Sequence, residues 1–270
     1  MKNAILVGAA GAVVSVAMLA LGYMAGHSQL AGKTSAEAVA TLPQKDAERA
    51  EIELVIRDYL LANPDLLIDM QVALEERQRE EQRVAQQQII SEAGDKIFNS
   101  KFDGIVGNPN GTVTIVEFFD YNCGFCKRAL EDMQSLVETN PDLRFVLKEF
   151  PILGPESQKA SVVSLAFHTI APEKYGEFHN RLLGGEGRAD EETAIEIALS
   201  LGADETALRQ AMENPEIMQA FAETYQLAEQ LAITGTPSYV VGNEVVFGAM
   251  GREVLAEKIE AARACADGEC

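Results

Sequence analysis

The sequence predicts an α/β fold in which a block of helices interrupts a small sheet. Three observations predict it. A β-branched and aromatic run at 112–119 and a second strand signal at 143–150 flank a helical pattern at 127–138. Helical patterns alone then fill 155–233. Two short strand signals, 238–241 and 245–247, return before a last helix.

The first strand, Thr112 to Phe119, is apolar almost throughout, as a strand covered on both faces must be. The helix Lys127 to Glu138 gathers Leu130, Met133, Leu136 and Val137 on one face. The next strand, Leu143 to Phe150, is closed by Pro151. Strand, helix and strand in this order imply a parallel pair joined by a right-handed crossover. Helices are then expected at Ser157–Ala171, Lys174–Leu183, Glu191–Leu199, Asp204–Asn214 and Glu216–Leu231, punctuated by Gly, Pro or Asn. Gly242-Asn243 is a tight-turn signal between the two late strands. The final helix runs from Arg252 to about Ala264. Upstream, Gly94 to Gly111 reads as a short strand near Lys96–Phe98 followed by turns.

The N-terminal part is organised differently. Lys2 is followed by an uncharged, mostly apolar run from Asn3 to about Ala25, which indicates export. Residues 1–27 are either a cleaved signal peptide or a retained membrane anchor, since the run approaches the length of a membrane span. Both place the rest of the chain outside the cytoplasm. Residues 28–47 read as a linker. Glu48 to Glu92 is rich in helix formers. Ile52, Val55, Ile56, Tyr59 and Leu60 recur at helical steps, and Asn63-Pro64-Asp65 breaks the pattern before a second helix. After Leu74 that helix turns highly polar. Its stripe is too short to be stable alone. It must pack on its own domain or on copies of itself. Self-association is the expectation, because 48–92 stands apart in sequence from the domain at 94–270.

With 270 residues and 47% hydrophobic content the chain can build a real core. A net charge of −20 argues against nucleic acid and anionic lipid as partners.

Four cysteines fall in two close pairs. Cys123-Gly124-Phe125-Cys126 lies where the first strand ends and a helix begins. There, unpaired backbone N–H groups and the helix dipole favour a thiolate. A thiolate is the species that attacks disulfides, so the motif points to thiol–disulfide exchange. Metal binding is the rival reading. A closed zinc site wants four ligands. His168 and His179 lie in helical patterns away from the motif and read as packed or surface residues. Two thiolates alone suit Cu(I), which keeps copper sequestration as an alternative. No metal ligand is assigned, and Met24 and Met250 read as anchor and core residues. Cys265 and Cys270, past the last helix, read as a structural disulfide or, less simply, a second redox relay. Glu117 is a carboxylate within an apolar strand, either buried or at a solvent-facing edge.

The order of elements, with its C-x-x-C, resembles the thioredoxin fold with an inserted helical domain at about 155–233, as in the DsbA family. The resemblance covers roughly Gly94 to Ala264. It rests on the run from Val116 to Lys127, Val-Glu-Phe-Phe-Asp-Tyr-Asn-Cys-Gly-Phe-Cys-Lys, and on Thr236-Pro237. With its helical extension the chain is most similar to the ScsC/Com1-like branch. The resemblance implies that Cys123 is the nucleophile and Cys126 the resolving thiol. It implies a cis bond before Pro237, with Thr236 held to pair with a substrate strand beside Gly124 and Phe125. It also implies that Glu117 lies beneath Cys126 as a proton acceptor. Gly124-Phe125 departs from the Pro-His of strongly oxidising DsbA enzymes, and Thr236 is the residue type of isomerases.

The implied protein is a periplasmic disulfide isomerase or reductase without a cofactor. It would be soluble or tethered, and oligomeric through the extension, as a trimer. Its partners would be misfolded or disulfide-bonded exported proteins and a membrane thiol reductase of DsbD/ScsB type. The alternatives are a dithiol oxidase of DsbA type, a Cu(I)-binding copper-tolerance protein, and a non-catalytic holdase.

Overall fold

A computed structural model of the chain describes residues 42–266. The expected signal peptide or anchor at 1–27, most of the expected linker, and Cys270 lie outside the described residues. The chain divides into two compact units, one ending at Leu74 and one beginning at Glu75.

In the first unit, helix α1 runs from Leu42 to Ala62, beginning six residues before the expected Glu48. Asn63 ends it: its backbone and side-chain N–H groups both donate to the Tyr59 carbonyl, at 3.0 and 2.8 Å. Asn63 thus closes α1 on the Tyr59 carbonyl, and its own carbonyl accepts from Leu66 N at 3.2 Å in the first turn of the next helix. Pro64 leads into helix α2, Asp65–Glu92. Ile52, Val55, Ile56, Tyr59, Leu67 and Met70 are all more than half exposed.

The second unit takes in the C-terminal half of α2. Exposed Arg–Glu pairs at Arg79–Glu75 and Arg83–Glu80 lace its polar stretch. Gln86 and Ile90 are nonetheless buried, and Gln86 donates to the Leu231 carbonyl at 2.7 Å. Helix α3, Gly94–Phe98, follows. A strand was expected over Lys96–Phe98; one helical turn that buries only Ile97 carries too little pattern to tell the two apart.

The sheet is built from β1 (Gly104–Gly107), β2 (Val113–Phe119), β3 (Leu143–Glu149), β4 (Ser238–Val241) and β5 (Glu244–Phe247), in the spatial order β1-β3-β2-β4-β5. β2 and β3 are parallel across helix α4, Gly124–Thr139, as expected, and every other pairing is antiparallel. The helical insertion comprises α5 (Pro155–Ile170), a 3-10 turn (Pro172–Lys174), α6 (Tyr175–Gly184), α7 (Glu191–Ser200), α8 (Glu205–Met212) and α9 (Pro215–Gln230). Helix α10, Arg252–Ala266, closes the described chain.

Strand alternation sends β2 residues to opposite faces. Ile115 and Phe119 join one core with Leu130, Met133 and Leu255. Val116 and Phe118 join another with Ile90, Ile97 and Leu231. On β3, Lys148 is buried with Asp103 at 2.6 Å, a pair that neutralises both charges inside the domain.

Candidate active site

β2 delivers the chain to the site, and Asp120 shapes the turn after it. Its buried carboxylate accepts from the backbone N–H of Asn122 at 2.8 Å and of Leu153 at 2.9 Å. The Asp120 carbonyl accepts from Cys123 N at 3.0 Å. Cys123 then stands at the N-cap of α4 with extended backbone (φ −78°, ψ 115°), and its carbonyl accepts from Lys127 N at 3.0 Å. The sulfur therefore meets the positive end of a 16-residue helix.

Cys123 is 6% exposed and Cys126 fully buried, and both are free thiols. The Cys123 thiol is pulled down to about 5. A hydrogen bond from the Cys126 side chain is the main cause, joined by the Thr236 side chain and the backbone of Cys126 and Phe125, against a penalty from burial. The same contacts work in reverse on Cys126. Burial, the shared hydrogen bond and the nearby Glu117 carboxylate push that thiol far up. One sulfur is thus a nucleophile at neutral pH, and the one beneath it holds its proton.

Thr236 faces Cys123 from the opposite side. The protonated Cys123 thiol donates to the Thr236 carbonyl at 3.1 Å, and the Thr236–Pro237 bond is cis. Glu117 is 3% exposed, and burial raises its carboxyl to about 8, with the Tyr239 hydroxyl in partial opposition. It is an interior residue, where a solvent-facing edge was the alternative. The structure therefore brings Cys123, Cys126, Glu117, Thr236 and Pro237 together. Gly124 leaves open space at the rim, for an added Cβ would meet nothing within 4 Å. Phe125 is 58% exposed above the Arg128 guanidinium, 4.2 Å from the ring centroid.

The other candidates lie elsewhere. Cys265 is exposed in the last turn of α10, and its expected partner Cys270 is outside the described residues. His179 is fully buried among the rings of Phe119, Tyr121 and Tyr175, and burial lowers it to about 3. It packs as a neutral ring.

The profile of the DSBA-like thioredoxin domain matches residues 114–260. The chain belongs to this family. A second profile, the copper resistance protein ScsC N-terminal domain, matches residues 48–81, across α1 and the start of α2. A thioredoxin-like oxidoreductase from Silicibacter pomeroyi is similar at 40% identity with a TM-score of 0.59, covering 63% of this chain and 96% of that one. BcfH from Salmonella enterica Typhimurium is 25% identical with a TM-score of 0.69, covering 83% of this chain and 99% of that one. A curated relative, Na(+)/H(+) antiporter NhaA 1 of Salinispora arenicola, is 24% identical over 162 residues, 59% of this chain. The chain spans only 24% of that antiporter's length.

Two positions of this DSBA-like domain escaped sequence reasoning. Asn122 donates to Ser157 Oγ at 3.0 Å and to the Ala189 carbonyl at 2.8 Å, tying the active-site turn to the helical insertion. Tyr239, two residues beyond the cis-proline, meets Glu117 across the sheet. Lys127, quoted only as part of the motif, turns away from the thiols and donates to the Gly185 and Gly187 carbonyls at 2.9 and 3.0 Å.

Proposed function

We propose that this DSBA-like protein is an exported thiol–disulfide oxidoreductase that acts in the periplasm, mainly as an isomerase or reductase. The observation that carries the reading is the split between the two thiols, one lowered at the cap of α4 and one raised beneath it. The Cys123 thiolate attacks a substrate disulfide. The substrate S–S bond breaks, one substrate sulfur leaves as a thiolate and takes a proton from solvent, and a mixed disulfide remains. Either of two steps then follows. A second substrate thiolate attacks the substrate sulfur of the mixed disulfide and releases Cys123, which rearranges the substrate. Alternatively, Cys126 yields its proton to Glu117 and attacks Cys123 Sγ. The second substrate thiolate leaves, and Cys123–Cys126 is oxidised. The latter route needs a dithiol reductant to restore the pair, a membrane thiol reductase of DsbD/ScsB type.

The isomerase direction is supported by Gly124-Phe125, which puts no histidine between the thiols, and by Thr236 before the proline. The uncovered apolar side chains of the first unit support self-association through α1 and α2, as a trimer. Substrates are then misfolded or wrongly bridged exported proteins.

The test is refolding of a scrambled-disulfide substrate, with the reduction potential of Cys123–Cys126 measured alongside. Cys123→Ala should abolish rearrangement. Full activity in that variant overturns the enzyme reading in favour of a holdase. Light scattering that gives a monomer mass for the intact chain overturns the trimer.

A further inference from the structure

We propose that Gly124 and Gly235 are specificity-determining residues, which together form an entry to Cys123 wide enough for a bulky side chain next to the client's cysteine. The inference rests on the thiol–disulfide reading and adds to it which polypeptide disulfides reach the nucleophile.

The starting point is a problem of access. Cys123 is only 6% exposed. Cys126 lies buried beneath it, its own backbone caps α4, and the Thr236 carbonyl stands 3.1 Å from its sulfur. A client disulfide must nevertheless bring one sulfur to about 3–3.5 Å from Cys123 Sγ before attack. The residues that flank the client's cysteine then lie against the rim itself. Two rim residues border the approach. Gly124 follows Cys123 on one side, and Gly235 precedes Thr236 on the other. Gly124 is exposed and Gly235 half-buried.

Neither glycine is explained by folding. Gly104 is held to its size by the Tyr175 ring, 1.7 Å from where a Cβ would sit, and Gly107 by a φ of +85°. Gly124 and Gly235 have no positive φ, and a Cβ on either would meet nothing within 4 Å. Glycine also leaves the unfolded chain more freedom than alanine would, a cost that brings no packing in return.

The opening is held in place. Ser238 Oγ donates to the Gly235 carbonyl at 2.8 Å, and Gly248 N donates to the Pro237 carbonyl at 2.9 Å. These bonds pin the loop on both sides of Thr236. What the two glycines leave free is volume next to the reacting sulfurs. As the mixed disulfide forms, Cys123 Sγ bonds to one client sulfur, the client S–S bond breaks, and the second client sulfur leaves with the electron pair. That exchange needs nothing from the side chains beside the client's cysteine, so a rim without side chains admits large and small alike. A leucine at either position refills the space and makes the site choose small neighbours.

The test uses the full-length reduced protein and two symmetrical peptide disulfides, the dimers of Ala-Cys-Ala and Trp-Cys-Trp. Rapid mixing follows mixed-disulfide formation, and each rate is divided by the rate of the same peptide with free glutathione. Wild type should treat the two peptides alike to within about threefold. Gly235→Leu should slow the Trp peptide at least about tenfold more than the Ala peptide, the size of effect that a few methylenes of lost room produce. Gly124→Leu should shift the ratio the same way, and Gly235→Ala the same way but less, which keeps the test open if a leucine variant folds poorly. An unchanged ratio across these variants, or a wild type that already rejects the Trp peptide, overturns the entry alone. So does an equal slowing of both peptides and of iodoacetamide, which would place the effect on the thiolate. A wild-type protein that forms no mixed disulfide with either peptide overturns the underlying reading, and the entry with it.

Discussion

Asn122 grips Ala189 by both of its backbone groups. Its Nδ2 donates to the Ala189 carbonyl and its Oδ1 accepts from the Ala189 amide, each at 2.8 Å. Asn122 immediately precedes the nucleophile, and Ala189 lies in the helical insertion just before α7. The geometry of the cysteine turn is thus fixed by a segment more than sixty residues away. Asn122→Ala leaves a buried amide and carbonyl unpaired, and should cost about 2–4 kcal/mol. Urea denaturation measures it, and an unchanged midpoint would show that the clamp contributes nothing.

The Cys123 thiol should titrate near 5, read from thiolate absorbance or from the rate of alkylation. The sign for stability follows from a folded value below the reference of 9.0. The stabilisation is complete above the reference and is lost as pH falls through the folded value. Reduced protein should therefore gain on oxidised protein as pH rises from 5 towards 9. A constant gap between the two unfolding midpoints over that window would contradict the thiolate.

Glu117 has the opposite sign. Its folded value of about 8 lies above the reference of 4.5. The protonated form is accommodated below 4.5, and stability is lost as pH rises to about 8. Glu117→Gln removes that loss. The variant should be more stable than wild type by an amount that grows across the window to roughly 5 kcal/mol, on the order of the shift from 4.5 to about 8 converted at 1.36 kcal/mol per unit. The same variant should resolve mixed disulfides about a hundredfold more slowly. Stability gained without slower resolution would remove Glu117 from the chemistry and leave it a buried cost.

Gly104 and Gly124 make a contrasting pair. A Cβ on Gly104 would fall 1.7 Å from Cε1 of Tyr175, a fully buried ring. Gly104→Ala should cost at least about 1–3 kcal/mol, because that ring has nowhere to go. Gly124→Ala meets open space and should leave the melting temperature near wild type. Equal effects in a thermal scan would contradict this packing.

Much of the fold was legible because its signals are long and bounded. The strand at 113–119 is a mostly apolar run closed by Asp120, and the one at 143–149, though it carries Arg144, Lys148 and Glu149, is bounded by Pro141 and Pro151. β1 was missed because four residues, two of them glycine, carry no alternation. The polar face of α2 hid Gln86, whose burial depends on Leu231, a partner 145 positions away. The motif announced the two thiols. The burial of Glu117 was reached through resemblance, and Tyr239 and Asn122 by neither route. Their roles depend on partners brought near only by the sheet and the insertion. One cue was present in the sequence: Tyr239 is the only side chain of its short strand that carries both a ring and a titratable proton.

Phe125 stands outside the site on a guanidinium. Arg128, one helical turn along, lies under the ring and keeps it upright in water. An aromatic side chain already fixed in one orientation has little rotational freedom left to surrender when a polypeptide settles on it. On the proposed reading, a ring held beside the Cys123 thiolate would give a docking polypeptide an apolar contact whose ordering is already complete on this side.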